Sequence, residues 1–452
     1  MHAIDSMRSA GWRLLAAMLL CVGVHGGAGA QAPAPTAVTQ APSASGQRIF
    51  GSTRAQLLQV RTLLKDQDSQ ASVGSGFVVD AQGLAITNYH VVSQFALRPS
   101  AYRLSYTMTD GRSGVVQLLA FDVTHDLALV RLLPVAGTSA VATPALAFRP
   151  LDQPLAKGER IYALGNPLDV GFAVMEGSYN GLVERSYLPQ VFFGGALSAG
   201  MSGGPALDAE GRVIGINVAT RRDGEQVSFL VPAEFAVRLL ERARGAAPVA
   251  QAAHAELTRQ LKQHQAGLVD RFVAMPWRSA NHARYRIPVP REDFMRCWGR
   301  TSPAENKDFD FERSDCTMDS AVFVSDRLIT GAITVRHEAY DGRRLGALRF
   351  ARMYSDSFRN ESFFSGRGAT APQCKERFVD RDGLALRAVV CLTALKRFDG
   401  LFDLSVLVAT VDQPTQGVQG RLDAAGVDFA GALKLVDHYL AGFALQPQGA
   451  SK

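Results

Sequence analysis

The stretch Gly200-Met-Ser-Gly-Gly-Pro205 sets one serine in a glycine-rich turn. Such a turn can aim two backbone N–H groups at a single point, which is what an acyl-transfer nucleophile needs. A hydroxyl is a weak nucleophile near neutral pH, so Ser202 requires a base within reach and donors for the negative oxygen of a tetrahedral intermediate. The backbone amides of Gly200 and Ser202 are the candidate oxyanion donors. The base is sought in Thr87-Asn-Tyr-His-Val-Val92, where His90 follows an apolar strand, and the carboxylate in Asp122-Val-Thr-His-Asp-Leu-Ala128, where Asp126 begins another. In this set Ser202 attacks a carbonyl, His90 takes its proton and later returns it to the leaving amine, and Asp126 fixes the imidazole tautomer and stabilises the imidazolium.

The elements that must position these groups are short strands. Gly74–Val79 and Leu84–Thr87 flank a turn at Ala81–Gly83, and a further strand runs over Val213–Val218. The order His90, Asp126, Ser202, with gaps of 36 and 76 residues, is that of the chymotrypsin-type double β-barrel and not of the subtilisins or α/β-hydrolases. From about residue 50 to 240 the chain resembles bacterial trypsin-like proteases of the HtrA/Deg family. The segments Gly74-Ser-Gly-Phe77, Thr87-Asn-Tyr-His-Val-Val92, Asp122-Val-Thr-His-Asp-Leu-Ala128 and Gly200-Met-Ser-Gly-Gly-Pro205 carry that resemblance. Ala163-Leu-Gly-Asn-Pro-Leu168, Gly177-Ser-Tyr-Asn-Gly-Leu-Val183 and Ser228-Phe-Leu-Val-Pro232 extend it. It implies an all-β double barrel, serine endopeptidase activity and Asp126 in the catalytic position, with Asp122 as a turn or surface carboxylate and His125 as a solvated neighbour. Met201 departs from the family, which usually carries asparagine there, and cannot form the aspartate–N-terminus pair that activates digestive proteases by cleavage.

The residues expected to shape the primary specificity pocket are Ala196, Leu197 and Ser198 before the nucleophile, and Ile216, Asn217 and Val218 on the following strand. None carries a charge, so by resemblance small or medium aliphatic side chains are expected before the scissile bond. The histidines are scattered without a His-Glu-x-x-His spacing, and neither a metal nor a cofactor is expected.

Arg8 and Arg13 precede an apolar run, Leu14 to Val24, and Ala28-Gly-Ala30 is a small-residue cleavage site, so residues 1–30 read as a secretory signal. The apolar run is short for a membrane span, and no comparable run follows, so no stable membrane insertion is expected after signal removal. A periplasmic or secreted location follows. Beyond Cys21 in that segment, the chain has Cys297, Cys316, Cys374 and Cys391. An even number in an exported protein favours two disulfides; of three pairings, the sequential one is expected.

With 452 residues, 47% of them hydrophobic, the chain can bury more than one core. The expected division is a flexible Ala/Pro/Ser-rich leader at 31–48, a protease domain at 49–246, a helical linker at 247–276 and a C-terminal α+β domain at 277–446. A formal charge of +6 without an aromatic-interleaved basic motif does not argue for nucleic acid. Polypeptides are the expected partners, and self-association is left open.

Leu257, Leu261, Leu268 and Phe272 mark an amphipathic helix. Strands are expected near 321–329, 332–337, 345–354, 384–395 and 402–411, with a turn at Asp399-Gly400. A last helix is expected to carry Phe429, Leu433, Val436, Leu440 and Phe443 on one face. No family resemblance is drawn for this antiparallel sheet with packed helices, and no convincing PDZ-type carboxylate loop is read after residue 250. Two function classes result: an exported serine endopeptidase, or a weakly active or inactive protease fold that binds polypeptides while its C-terminal domain carries the function.

Overall fold

The computed structural model describes residues 42–134, 144–220, 227–282, 284–303, 308–359 and 368–446. The expected signal segment lies outside them. A helix, α1 (Ala44–Thr53), starts within the stretch expected to be flexible leader; Ser43 caps it by accepting from Gly46 N–H.

Some strands alternate buried and half-buried residues, whereas others are buried almost throughout. The strands β1 (Leu57–Leu64), β2 (Gln70–Val78), β3 (Leu84–Thr87), β4 (Tyr102–Met108), β5 (Ser113–Asp122) and β6 (Leu127–Pro134) form one closed antiparallel barrel in the order β1-β2-β3-β6-β5-β4. In β4 every second residue, from Tyr102 to Met108, is buried. A helix, α2 (Tyr89–Leu97), leaves the barrel between β3 and β4. The second closed barrel, in the order β10-β11-β12-β9-β8-β7, consists of β7 (Arg160–Gly165), β8 (Ala173–Leu182), β9 (Val191–Phe193), β10 (Pro205–Leu207), β11 (Val213–Thr220) and β12 (Ser228–Pro232). Leu57, Phe77, Ile86 and Leu129 of the first barrel share one apolar cluster with Tyr162, Leu164, Leu207 and Ile216 of the second. The helix α3 (Ala233–Ala243) closes that cluster with Phe235, Leu239 and Leu240. The expected double barrel is the architecture of this region.

The helix α4 (His254–Ala274) does more than link. Its Leu257 and Leu261 enter the core of the first barrel, whereas Leu268, Val269 and Phe272 enter the C-terminal core. Beyond it lie β13 (Arg278–His282), β14 (Tyr285–Val289), β15 (Arg296–Thr301), β16 (Asp310–Thr317), β17 (Val322–Ser325), β18 (Leu328–Thr330) and β19 (Ile333–Asp341). They are followed by α5 (Ala347–Ser357), β20 (Gln373–Arg381), β21 (Leu384–Ala394), β22 (Phe402–Thr410), β23 (Gln416–Val427), α6 (Phe429–Ala441) and β24 (Ala444–Leu445). Seven of these strands make an antiparallel sheet in the order β15-β16-β19-β23-β22-β21-β20. Cys297 faces Cys316 across β15 and β16, and Cys374 faces Cys391 across β20 and β21; each pair is at bonding distance.

One local expectation is corrected, and the buried face of the last helix is set by its packing. The segment 345–354, read as strand, is mostly α5, which keeps Phe350 buried and leaves Leu348 exposed. The last helix buries Ala432, Leu435, Tyr439 and Leu440, while Phe429 and Leu433 face solvent. The sheet offers its apolar surface to a stripe rotated from the one that the largest side chains suggest.

Candidate active site

His90 stands at the second position of α2, one turn from the end of β3. The first N–H groups of any helix lack intrahelical partners. Here Asp126 supplies them: its Oδ1 accepts the His90 backbone N–H at 2.8 Å and its carbonyl accepts the Tyr89 N–H at 3.1 Å. The other carboxylate oxygen, Oδ2, lies 2.6 Å from His90 Nδ1. One carboxylate therefore both caps α2 and holds the imidazole. Asp126 reaches this position with φ of 54°, a left-handed backbone that aspartate tolerates better than most residues. Asn88 leaves its own helix uncapped by side chain and donates Nδ2 to the Asp126 carbonyl at 2.7 Å, tying the two segments together.

Burial opposes a charged imidazole at His90. The Asp126 carboxylate, by charge and by hydrogen bond, and Asp326 more remotely, outweigh it and hold the ring above its ordinary value. Burial, then the negative charge of Asp126, raises the Tyr89 phenol far above the usual tyrosine range.

Ser202 lies in a turn anchored from several sides. Ser75 N–H donates to the Ser202 carbonyl at 2.7 Å, and Ser75 Oγ donates to the Gly200 carbonyl at the same distance. Asn217 contributes its carbonyl to Gly203 N–H at 2.9 Å and its Nδ2 to the Met201 carbonyl at 3.3 Å. Gly203 has φ of 85° and packs so closely that a Cβ would strike the Ser75 carbonyl, Thr87 Oγ1 and the Asn88 N–H. The Ser202 turn thus abuts the strand–helix junction that carries His90. Among the described residues, the N–H groups of Gly200 and Ser202 donate to no protein acceptor, whereas Met201 N–H between them donates to Ser198. Ser202 Oγ donates to the Val218 carbonyl at 3.0 Å, and no hydrogen bond joins it to His90. Met201 is fully buried among Ile161, Phe193 and Leu230, so its thioether fills the second barrel's core.

The six residues expected to line a specificity pocket separate. Ala196 is exposed, and Ser198 and Val218 are half-buried. Leu197 and Ile216 are buried in barrel cores, and the buried Asn217 amide donates to the Leu164 and Met201 carbonyls. As side chains, these three support the turn instead of facing a cleft. His125 and Asp122 also differ from the solvated pair expected: His125 Nδ1 lies 3.0 Å from Asp122 Oδ2, and its ring stacks on Phe235 at 3.7 Å. Both residues line a cavity of about 490 Å³, with Arg238, Arg242, Arg259 and Arg271 on its walls. Burial works against the Asp122 carboxylate, but hydrogen bonds and charge from His125, with Arg242, lower its pKa.

Sequence reasoning missed the support from Ser75, Asn88 and Asn217. Each sits inside a motif quoted for the resemblance or on the strand that follows the Ser202 turn, yet its role appears only as a tertiary hydrogen bond. The C-terminal domain also reaches the site: Phe323 of β17 stands edge-on to His90 with ring centroids 6.1 Å apart, and no motif signals this.

The family description "Trypsin-like peptidase domain" matches residues 74–216. The putative serine protease HhoA of Synechocystis sp. is 32% identical over 174 residues, covering 37% of this chain and 41% of that protein. The probable periplasmic serine endoprotease DegP-like of Marinomonas sp. is 28% identical over 193 residues, covering 41% and 38%. A solved serine endoprotease from Yersinia pestis covers 45% of this chain and 67% of its own, with 20% identity and a TM-score of 0.37. Residues 74–216 thus match a trypsin-like peptidase domain, and the relatives that this chain resembles are named as serine proteases of the HhoA and DegP-like kinds. The chain spans about two fifths of the length of the curated relatives it matches, and the family match ends at residue 216.

Proposed function

We propose that this protein is an exported serine endopeptidase working through an acyl-enzyme at Ser202. The observation that carries the reading is the shared position of Asp126, which holds both the helix start and the imidazole of His90, beside a turn whose Gly200 and Ser202 N–H groups are unspent. Ser202 Oγ attacks the scissile carbonyl carbon while His90 takes the hydroxyl proton. The carbonyl electron pair moves onto oxygen, where the two N–H groups receive it. Collapse of the intermediate breaks the C–N bond, and His90 returns the proton to the departing amine. Water then repeats the sequence and releases the acid.

The serine must first rotate from the Val218 carbonyl toward His90, giving up one neutral hydrogen bond of about 1 kcal/mol and gaining another of similar worth. That resting bond favours a latent site that substrate or a partner completes, and it is also what a purely binding protein of this fold would carry. The names of the relatives support a periplasmic location, and the two facing cysteine pairs suit an oxidising compartment. Small or medium aliphatic residues before the scissile bond remain the proposed preference, now resting on Ala196, Ser198 and Val218. A fluorophosphonate probe applied to wild type and Ser202→Ala tests the assignment. Labelling confined to wild type, with casein cleavage lost in the variant, is expected; absent labelling of wild type, even with peptide present, selects the binding reading.

A further inference from the structure

The two-stranded ribbon β17–β18 of the C-terminal domain lies against the helix that carries His90. Val322 and Val324 are buried in the core of the first barrel with residues of α2. Tyr89 Oη donates to the Val324 carbonyl at 3.1 Å, and Gln94 Nε2 donates to Asp326 Oδ2 at the same distance. These contacts hold the ribbon at two places along α2, one on each side of His90 in sequence. Phe323, between them, stays only partly buried and packs at the edge of that core. Phe323 is half-buried and meets the edge of the His90 ring, and its direct partner across the ribbon is Ile329, 59% of whose surface is exposed. Partners directly opposite in an antiparallel pair share one face. A small apolar ledge therefore begins at the candidate general base and continues outward on a domain that the peptidase region does not contain.

We propose that Phe323 and Ile329 form a substrate subsite, taking an apolar side chain of the polypeptide from a position close to the scissile bond. The proposal rests on the peptidase reading of Ser202 and His90 and adds specificity determinants from outside the barrels. A polypeptide undergoing attack must run past the base, since His90 exchanges a proton with both Ser202 and the leaving amine. A side chain on that stretch of substrate meets the ledge, and an apolar one covers the exposed Ile329 surface. Single exposed apolar residues are common on proteins; here the ledge is distinguished by continuity with the histidine and by its anchoring through both main-chain and side-chain bonds. The C-terminal domain thereby acts as a wall of the cleft.

The test measures binding in full-length Ser202→Ala protein, where peptides are not consumed. Labelled decapeptides carry a central valine and either leucine or serine at each of the two positions on either side of it, and fluorescence anisotropy gives the dissociation constants. At one position leucine should bind about tenfold more tightly than serine, the scale of a modest apolar contact. Phe323→Ala and Ile329→Ser should each reduce that ratio below about threefold, while Leu348→Ser, which removes an exposed apolar side chain on α5, should not. If Phe323→Ala fails to fold, Ile329→Ser, altered at an exposed side chain, decides. No saturable binding, no discrimination between leucine and serine, or discrimination unchanged by the ribbon variants overturns the proposal. Fluorophosphonate labelling of wild type separately reports on Ser202, so a failed peptidase reading and a failed subsite give different results.

Discussion

Replacing Asp126 with asparagine separates the two tasks of this carboxylate. The amide side chain would retain an oxygen able to accept the His90 main-chain N–H, now at 2.8 Å, so the start of α2 should survive. The atom facing His90 Nδ1, now a carboxylate oxygen at 2.6 Å, would become an amide donor. Nδ1 must then accept, which places the ring proton on Nε2, the nitrogen that has to receive the Ser202 proton. The wrong tautomer lowers turnover by about 10⁴-fold, equivalent to ~5.5 kcal/mol of transition-state stabilisation. Stability should fall far less, by about 1–2 kcal/mol, because one charge-assisted bond is weakened in a partly solvated pair. Peptide hydrolysis under saturating substrate gives kcat, and urea unfolding gives the stability change. A kcat within tenfold of wild type refutes the tautomer argument; loss of activity matched by loss of fold shows instead that capping was the dominant role.

The elevated pKa of His90 makes the acid limb of kcat/KM rise through a midpoint above the ordinary imidazole value of 6.5, because the base must be neutral; Asp326→Asn should move that midpoint down, and an unchanged or higher midpoint in pH-rate profiles contradicts the electrostatic account. The same raised pKa stabilises the fold fully below the unfolded-state value, and this contribution disappears as pH rises through the folded-state value. In the C-terminal domain, burial and the nearby Asp423 charge push Asp403 up to about 6, against the hydrogen bond from Gly426 N–H. Its ionisation costs stability increasingly between roughly pH 4 and 6 and fully above that window, so Asp403→Asn, which keeps an acceptor for Gly426, should add about 1–3 kcal/mol at pH 7.5 but little at pH 4. Equal effects in urea melts at both pH values would remove that explanation. Reduction of the Cys297–Cys316 and Cys374–Cys391 bonds, which close loops of 19 and 17 residues, should destabilise the C-terminal sheet by roughly 3 kcal/mol each; proteolysis read by mass spectrometry should open that sheet before the barrels, and the reverse order would be inconsistent.

Short-range chemistry made much of the first half legible. Glycines in Gly200–Pro205 announce a turn with unusual backbone angles, and alternating apolar residues announce strands whichever partners they find. The order of His90, Asp126 and Ser202 narrowed the barrel topology because the motifs occupy particular strand ends. The C-terminal helices were harder to read: 345–354 has enough apolar residues for a strand, but α5 buries Phe350 and leaves Leu348 in water. Likewise α6 turns Leu435 and Tyr439 inward in place of Phe429 and Leu433, because the position of the receiving sheet, not side-chain size, selects the buried stripe.

By itself, the chain's order of residues determined the glycine-rich turn at Ser202, the candidate nucleophile, base and carboxylate, the barrel class and the four cysteines available for pairing. Only tertiary structure decided that Asp126 also caps α2, that Ser75 and Asn217 hold the Ser202 turn, and that Ser202 rests on Val218. The same holds for the ribbon beside His90, which brings residues more than 200 positions apart into contact, as in the Tyr89–Val324 bond. A turn or a strand period is imposed by neighbouring residues, whereas these contacts depend on which surfaces meet when several cores close together. Leu257 and Leu261 in one core and Leu268 and Phe272 in another show the consequence: a single helical stripe, readable from its spacing, is divided between two domains by the packing around it.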